Sequence, residues 1–592
     1  MSDKGMWTLP ANAPSPTELA SAWSRVVESA LDAARAGMVP RTSTAFDPAA
    51  PARALGEFTM QMWTDPLGVL RAAQAASGEW VELWSRAARS AAGATVEPMI
   101  EPQRGDRRFK DPSWSEQPVF DYLKQAYLLA SRQANSLIEN AQGVDEPTRT
   151  RAAFFVQSYL DALSPANFAF TNPEAIRRAI ETGSISLLSG LANLLADAAT
   201  EARLPQRRTG TEFELGKDLA ATPGKVVFQN ELMQLIQYAP VTETVWKRPL
   251  LYVPPLVNKY YLLDLQPKSS LIRWLVEQGH TLFVISWINP GPELADRGMA
   301  DYIGLGPIAA LDSIERATGE TQVDIFGFCM GGTLAGIAAA ILAGRGQASR
   351  IGSLTTIGSM FDFSNMGQWE TFAEPRQAEA MQRHLEAKGV LTAHELQALF
   401  SVVRANDLIW SSVVSHYLLD REAPPSDILH WFTDGAHIPR AFLLDWVNLL
   451  LRDNLLTRPG TLQLEKDKVD LGAIAAPAMV ISLKDDHVSA WEATYEGAKL
   501  LGGKTRFLLG GSGHNAGVIN PPSANKHGYW TNAAMPADAE KWLEDATRHE
   551  GSWWPQWQAW LSRGGERVPG RVPGKGKLKA IEPAPGSYVR MR

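Results

Sequence analysis

Between Lys225 and Gly510 the chain carries eight short apolar or β-branched runs: "KVVFQN", "MQLIQYAP", "PLLYVPP", "TLFVISW", "QVDIFGF", "SLTTIG", "AMVISLK" and "TRFLLG". Helix-like stretches such as "SSLIRWLVEQG", "YIGLGPIAALDSIERATG" and "GTLAGIAAAILAG" separate several of them. Runs that are apolar throughout belong to strands buried on both faces, and helical crossovers are what return a chain to start a parallel neighbour. An α/β domain with a mainly parallel sheet and helices on both faces is predicted. The alternation breaks once, from Met360 to Ala476, between "SLTTIG" and "AMVISLK". An aromatic- and leucine-rich insert of that length after a strand predicts a lid over the site.

Residues 1–210 differ in kind. Segments such as "TELASAWSRVVESALDAARAG", "VFDYLKQAYLLASRQANSLIENA" and "PEAIRRAIETGSISLLSGLANLLADA" repeat apolar residues at i, i+3 and i+4, and Pro-rich connectors separate them. The expected organisation is a helical domain over 1–210 and an α/β domain over 211–592, with the lid insert at about 360–476. From Ser562 the Gly/Pro-punctuated basic segment reads as a surface-running or partly disordered tail. The cluster "GSWWPQWQAWL" reads as an aromatic anchor for a helix near the C-terminus.

The run "QVDIFGF" continues into "CMGGTLAG", placing Cys329 between Gly327 and Gly331 where a strand gives way to a helix. G-x-C-x-G in that setting is a cysteine version of the nucleophile elbow. Glycines are needed because side chains would collide across the sharp turn, and the helix N-terminus behind the sulfur supports a thiolate. In this arrangement an acid and a histidine follow the nucleophile along the chain. Asp485, Asp486 and His487 follow "AMVISLK", and His514 follows "TRFLLG", so both loops sit at C-terminal strand ends. His514 is the expected base and Asp486 or Asp485 its acid, a choice that the resemblance described below makes in favour of Asp486; His487 is a supporting neighbour that bonds locally. The oxyanion hole is expected from the amides of Met330 and of Val257, in the loop "YVPPLVNKYYLLDLQP" after the third strand, with Asp264 holding that loop in place.

Composition narrows the function. A net charge of -7 with 20% charged residues offers no footprint for nucleic acid. A single cysteine in the chain excludes an intrachain disulfide or a Cys-rich metal site, so no metal is expected. The first residues show no charged segment followed by an apolar core, and "SISLLSGLANLLADAA" is too short and interrupted to span a bilayer, so no transmembrane segment and a reducing cytoplasm are expected. Sulfur keeps an acyl group at thioester potential, which suits passing acyl groups from thioesters to a hydroxyl.

The motifs "VPPLVNKYYLLDLQP", "GFCMGGTL", "NDLIW", "DDHVSAWEATY", "GSGHNAGVINPP", "GSWWPQW" and "AIEPAPGSYV" together resemble those of the class I poly(3-hydroxyalkanoate) synthases. The resemblance implies an α/β-hydrolase fold, (R)-3-hydroxyacyl-CoA as substrate, and Cys329 as the nucleophile that carries the chain. It implies His514 as its base and Asp486 as partner of the histidine or direct activator of the incoming hydroxyl. It also implies a homodimer at the surface of cytoplasmic polyester granules, with Trp431 near the dimer contact and no cofactor beyond the coenzyme A of substrate and product. A Cys-type thioesterase or lactone hydrolase, or a non-catalytic granule-coat protein, are the competing readings.

Overall fold

The computed structural model describes residues 14–37, 45, 47–103, 105–199, 213–421, 425–563 and 565–592. Two compact units divide the chain: one from Met1–Thr209 with Gln397–Pro424, the other from Gly210–Leu396 with Pro425–Arg592.

The first unit is helical, with main helices at Pro16–Gly37, Ala50–Met62, Pro66–Ala91, Pro118–Asn140, Glu146–Ala162, Pro173–Glu181 and Ile185–Ala198. Several have a side-chain cap: Asp65 accepts from the Gly68 amide, Asp145 from Thr148, and Asn172 from Glu174 and Ala175, satisfying donors that a helix start leaves open. Phe58, Ile138, Val144 and Ala152 form one of its small apolar cores.

The apolar stretch from Pro173 is two helices, bent by 112° at a break where Gly183 and Ser184 take positive φ. Among the described residues no single helix is long and apolar enough to cross a membrane. Within the insert, Gln397–Pro424 groups with the helical unit. Its Tyr417 hydroxyl donates to buried Asp197 at 2.8 Å, and Arg421 pairs with Glu174, which ties this part of the insert to helices far earlier in the chain.

The second unit is built on one sheet. Among the described residues its strands, in chain order, are β1 (Gly224–Gln229), β2 (Met233–Tyr238), β3 (Leu250–Val253), β4 (Leu282–Trp287), β5 (Val323–Phe328), β6 (Ile351–Ile357), β7 (Ala478–Leu483), β8 (Thr505–Gly510), β9 (Tyr529–Thr531), β10 (Thr547–His549) and β11 (Glu582–Pro583). Their order across the sheet is β10-β9-β8-β7-β6-β5-β3-β4-β2-β1-β11. The stretch from β8 to β4 is parallel and the flanks are antiparallel. Strands β5, β6 and β7 are buried at every position, as expected of strands covered on both faces. The helix α1 (Met330–Gly344) behind β5 is buried almost throughout, which its Ala- and Gly-rich sequence permits.

The segment after Ser562 runs mostly over the surface, one of the two readings of it, and two short pieces of it are strands. Arg567–Pro569 pairs with Thr244–Trp246, and β11 pairs with the sheet edge at β1. Gly and Pro punctuation suggested coil, but unpaired strand edges supply backbone partners that no local pattern records.

Candidate active site

Cys329 joins β5 to α1 with φ 53° and ψ −132°, a conformation costly for any residue with a side chain. The turn is held by the Cys329 amide donating to the Ile357 carbonyl at 2.8 Å and by the Gly332 amide donating back to the Cys329 carbonyl at 3.0 Å. A Cβ on Gly331 would overlap the Val253 carbonyl and Pro254, and one on Gly327 would overlap Gly331 itself. The glycines therefore let α1 start directly against the end of β3, leaving Cys329 partly exposed at the turn.

Asp486 and His514 meet although they lie on separate loops. Leu483 of β7 and Gly510 of β8 are register partners, so both loops leave the same edge of the sheet. The His514 Nδ1 and Asp486 Oδ2 are 2.6 Å apart, and both side chains are buried. The second oxygen, Asp486 Oδ1, accepts from the Val488 and Ser489 amides at 2.8 and 2.9 Å, which fixes the carboxylate's orientation. Burial on its own would favour a neutral His514. The Asp486 carboxylate and the Cys329 sulfur outweigh it and hold the imidazole up at about 10. The proton thus rests on a ring that interacts with the thiol on one side and the carboxylate on the other. An imidazolium in that position is an electrostatic partner for a thiolate.

The surroundings hold this ring from several directions. Phe328 packs on it with ring centroids 4.7 Å apart. Gly358, at φ 53°, brings its backbone so close that a Cβ there would press on both His514 and Asp486. The short helix His514–Val518 ends on two indoles: Trp553 Nε1 donates to the Gly517 carbonyl at 2.9 Å and Trp554 Nε1 to the Val518 carbonyl at 3.1 Å. Trp557 Nε1 reaches Thr355 of β6 at 3.0 Å. The tryptophan cluster is an internal anchor, as expected, and it supports the segment that bears His514. That support was not foreseen, because a Trp-rich motif reveals burial but not which carbonyls its N–H groups will meet.

Met330 is the first residue of α1, directly after Cys329, and is buried. Val257 is half-buried in the loop leaving β3. That loop starts beside the elbow, since Val253 is the register partner of Gly327. Asp264 stands apart from these groups. It is buried, accepts from Thr222 Oγ1 and Ser270 Oγ at 2.6 Å each, and burial raises its carboxyl to about 6 while those bonds oppose the rise. Its place is at the base of the 254–265 segment. Asp485 and His487 are exposed, and the Asp485 amide donates to the Ser512 carbonyl at 3.1 Å, two residues before His514. Trp431 is buried, its Nε1 donating to the Lys259 carbonyl at 2.8 Å. Among the described residues no group of three or more His, Cys, Asp or Glu side chains could hold a metal ion.

Comparison with known proteins adds the family. Residues 105–275 match the family described as "Poly-beta-hydroxybutyrate polymerase (PhaC) N-terminus", and residues 257–521 match the "alpha/beta hydrolase fold". The poly(3-hydroxyalkanoate) polymerase of Methylorubrum extorquens is 41% identical over 532 residues, covering 89% of this chain and 88% of its own. The poly(3-hydroxyalkanoate) polymerase subunit PhaC of Rhizobium meliloti (strain 1021) is 39% identical over 586 residues, covering 98% and 95%. The corresponding subunit of Cupriavidus necator is 40% identical over 494 residues, covering 82% and 83%. With an elbow after β5, a buried histidine–carboxylate pair after β7 and β8, and relatives of this identity along nearly its full length, the chain is an acyl-transferring enzyme of α/β-hydrolase fold that belongs to the poly(3-hydroxyalkanoate) polymerase family.

Proposed function

We propose that this chain polymerises (R)-3-hydroxyacyl units delivered as coenzyme A thioesters, through an acyl group carried on Cys329. The Cys329 sulfur attacks the thioester carbonyl, the coenzyme A thiolate leaves and takes up a proton from His514, and the acyl group stays on sulfur. The hydroxyl of a further acyl unit then attacks this new thioester, giving its proton to His514; the C–S bond to Cys329 breaks, the sulfur leaves as a thiolate beside the imidazolium, and the ester formed lengthens the chain. Asp486 keeps the imidazole oriented and stabilises its charged form, while the amides of Met330 and Val257 receive the developing oxyanion. No cofactor enters beyond the coenzyme A of the substrate. With one thiol per subunit, a growing chain cannot pass between two cysteines of the same subunit. Either the Cys329 residues of two subunits would have to approach each other, or the hydroxyacyl-CoA acceptor reacts without first becoming bound to a second sulfur; the second is the simpler and is the one proposed.

The observation that carries this reading is the buried 2.6 Å contact between His514 and Asp486, which raises the imidazole in combination with the Cys329 sulfur. Work as a homodimer at the surface of cytoplasmic polyester granules belongs to the same proposal. Support comes from the helical unit, where Trp23, Val27 and Leu31 are exposed at four-residue spacing along one helix, a pattern that suits an apolar surface. Supplying 3-hydroxybutyryl-CoA and following released thiol and polymer together tests the reaction. Polymer should accumulate with the thiol, and Cys329→Ala should abolish both. Free 3-hydroxyacid without polymer would instead make the chain a thioesterase, and polymer from Cys329→Ala would remove the nucleophile assignment.

A further inference from the structure

The loop that carries Val257 is clamped at both ends. At its start, Trp287 Nε1 donates to the Pro254 carbonyl at 2.9 Å. At its end the partner is the later part of the insert, the helix Asp427–Thr433 and the residues after it. Lys259 Nζ pairs with Asp434 Oδ1 at 2.6 Å, with side chains only 5% and 14% exposed. The second Asp434 oxygen accepts from the Tyr261 hydroxyl at 2.9 Å, and Trp431 Nε1 donates to the Lys259 carbonyl. Asn258 forms an antiparallel bridge with Gly435, and the His437 amide donates to Asn289 Oδ1 at 2.8 Å, just past β4. One short segment of the insert thus holds the backbone at Asn258 and Lys259, directly after Val257, using both oxygens of a single carboxylate.

A buried ion pair of this kind adds little net stability over an apolar pair of similar volume, so stability alone is a poor reason to place one here. Its use is directional. Two oxygens fixing an ammonium and a phenol set where the loop lies to within a hydrogen-bond length, and an oxyanion donor misplaced by about 1 Å loses much of its effect. We propose that Asp434 is a positioning residue that couples docking of the 427–438 segment to alignment of the Val257 amide, so that the oxyanion hole is complete only while that segment is seated. The inference rests on the acyl-transfer reading above. It implies that displacement of this part of the lid switches off acyl transfer without disturbing the nucleophile.

The test uses the full chain and two reactions of the same sulfur. Transfer from 3-hydroxybutyryl-CoA develops an oxyanion, whereas alkylation by iodoacetamide displaces iodide at a saturated carbon and develops none. Asp434→Asn should lower kcat for thiol release by about 30- to 300-fold, approaching the loss seen when an oxyanion-hole donor is removed. KM and the alkylation rate should stay within about twofold of the unmodified chain, since neither depends on that donor. Lys259→Met, which keeps the buried stem and removes the charge, should give the same split. Kcat close to that of the unmodified chain in either soluble variant would overturn the proposal, as would kcat and alkylation falling together. Loss of soluble protein in both variants would make the pair a folding element and overturn it too. An unmodified chain that is alkylated but releases no thiol from the thioester would instead fail the acyl-transfer reading, and the inference would fall with it.

Discussion

Replacing Asp486 by Asn should separate the thiol from its charged partner. His514 is held at about 10 against an ordinary value of 6.5, which amounts to about 5 kcal/mol of preference for the imidazolium. Burial acts in the opposite direction, so without the carboxylate the buried ring should be neutral at pH 7. Loss of the imidazolium removes the positive partner beside the sulfur, so iodoacetamide alkylation of the variant at pH 6 should be slower than that of the unmodified chain. Because Cys329 is the only cysteine, total incorporated label by mass reports this one site. The linkage has a definite sign. A histidine raised in the folded state contributes stability that is fully present below about 6.5 and lost as pH rises towards 10, and Asp486→Asn should remove that alkaline loss. Equal alkylation of the variant and the unmodified chain at pH 6 would refute the ion-pair reasoning.

Asp264 is raised to about 6, so its burial leaves stability highest below 3.8 and lower by about 3 kcal/mol once pH passes 6; Asp264→Asn should flatten urea unfolding between pH 4 and pH 7. Trp553→Phe strands the buried Gly517 carbonyl, with an expected cost of about 1–3 kcal/mol in the same assay and a lower kcat through displacement of His514. Gly331→Ala drives a methyl into the Val253 carbonyl and should cost about 1–3 kcal/mol by thermal unfolding, with slower alkylation at pH 6 as the turn relaxes.

The core of the sheet was legible because its signals are local. All eight runs picked out by composition are strands, and the order of nucleophile, acid loop and histidine along the chain located the neighbouring strand ends at which Asp486 and His514 meet. Asp486 rather than Asp485 is the buried member of the pair because it takes the Val488 and Ser489 amides, a distinction that neighbouring identical residues do not encode. What escaped the sequence is non-local. Strands β9, β10 and β11 are two or three residues long and are strands only because an edge was free to pair with them. The grouping of Gln397–Pro424 with the helical unit depends on contacts such as Tyr417 with Asp197, more than two hundred positions away. The latch of Lys259, Tyr261 and Asp434 is equally invisible, since an aspartate after "HWFT" looks like any helix end.

The long insert has a consequence for how such an enzyme can vary. Leu354 of β6 and Ala478 of β7 are direct register partners although residues 358–477 lie between the two strands. Loop-closure entropy grows only with the logarithm of length, so spanning that gap rather than a turn of a few residues costs about 3 kcal/mol. The junction is therefore thermodynamically forgiving. Lineages, or designers, can lengthen, shorten or exchange what is spliced in at this point while the scaffold beneath closes as before, and the constraint that travels with any replacement is a carboxylate able to find Lys259.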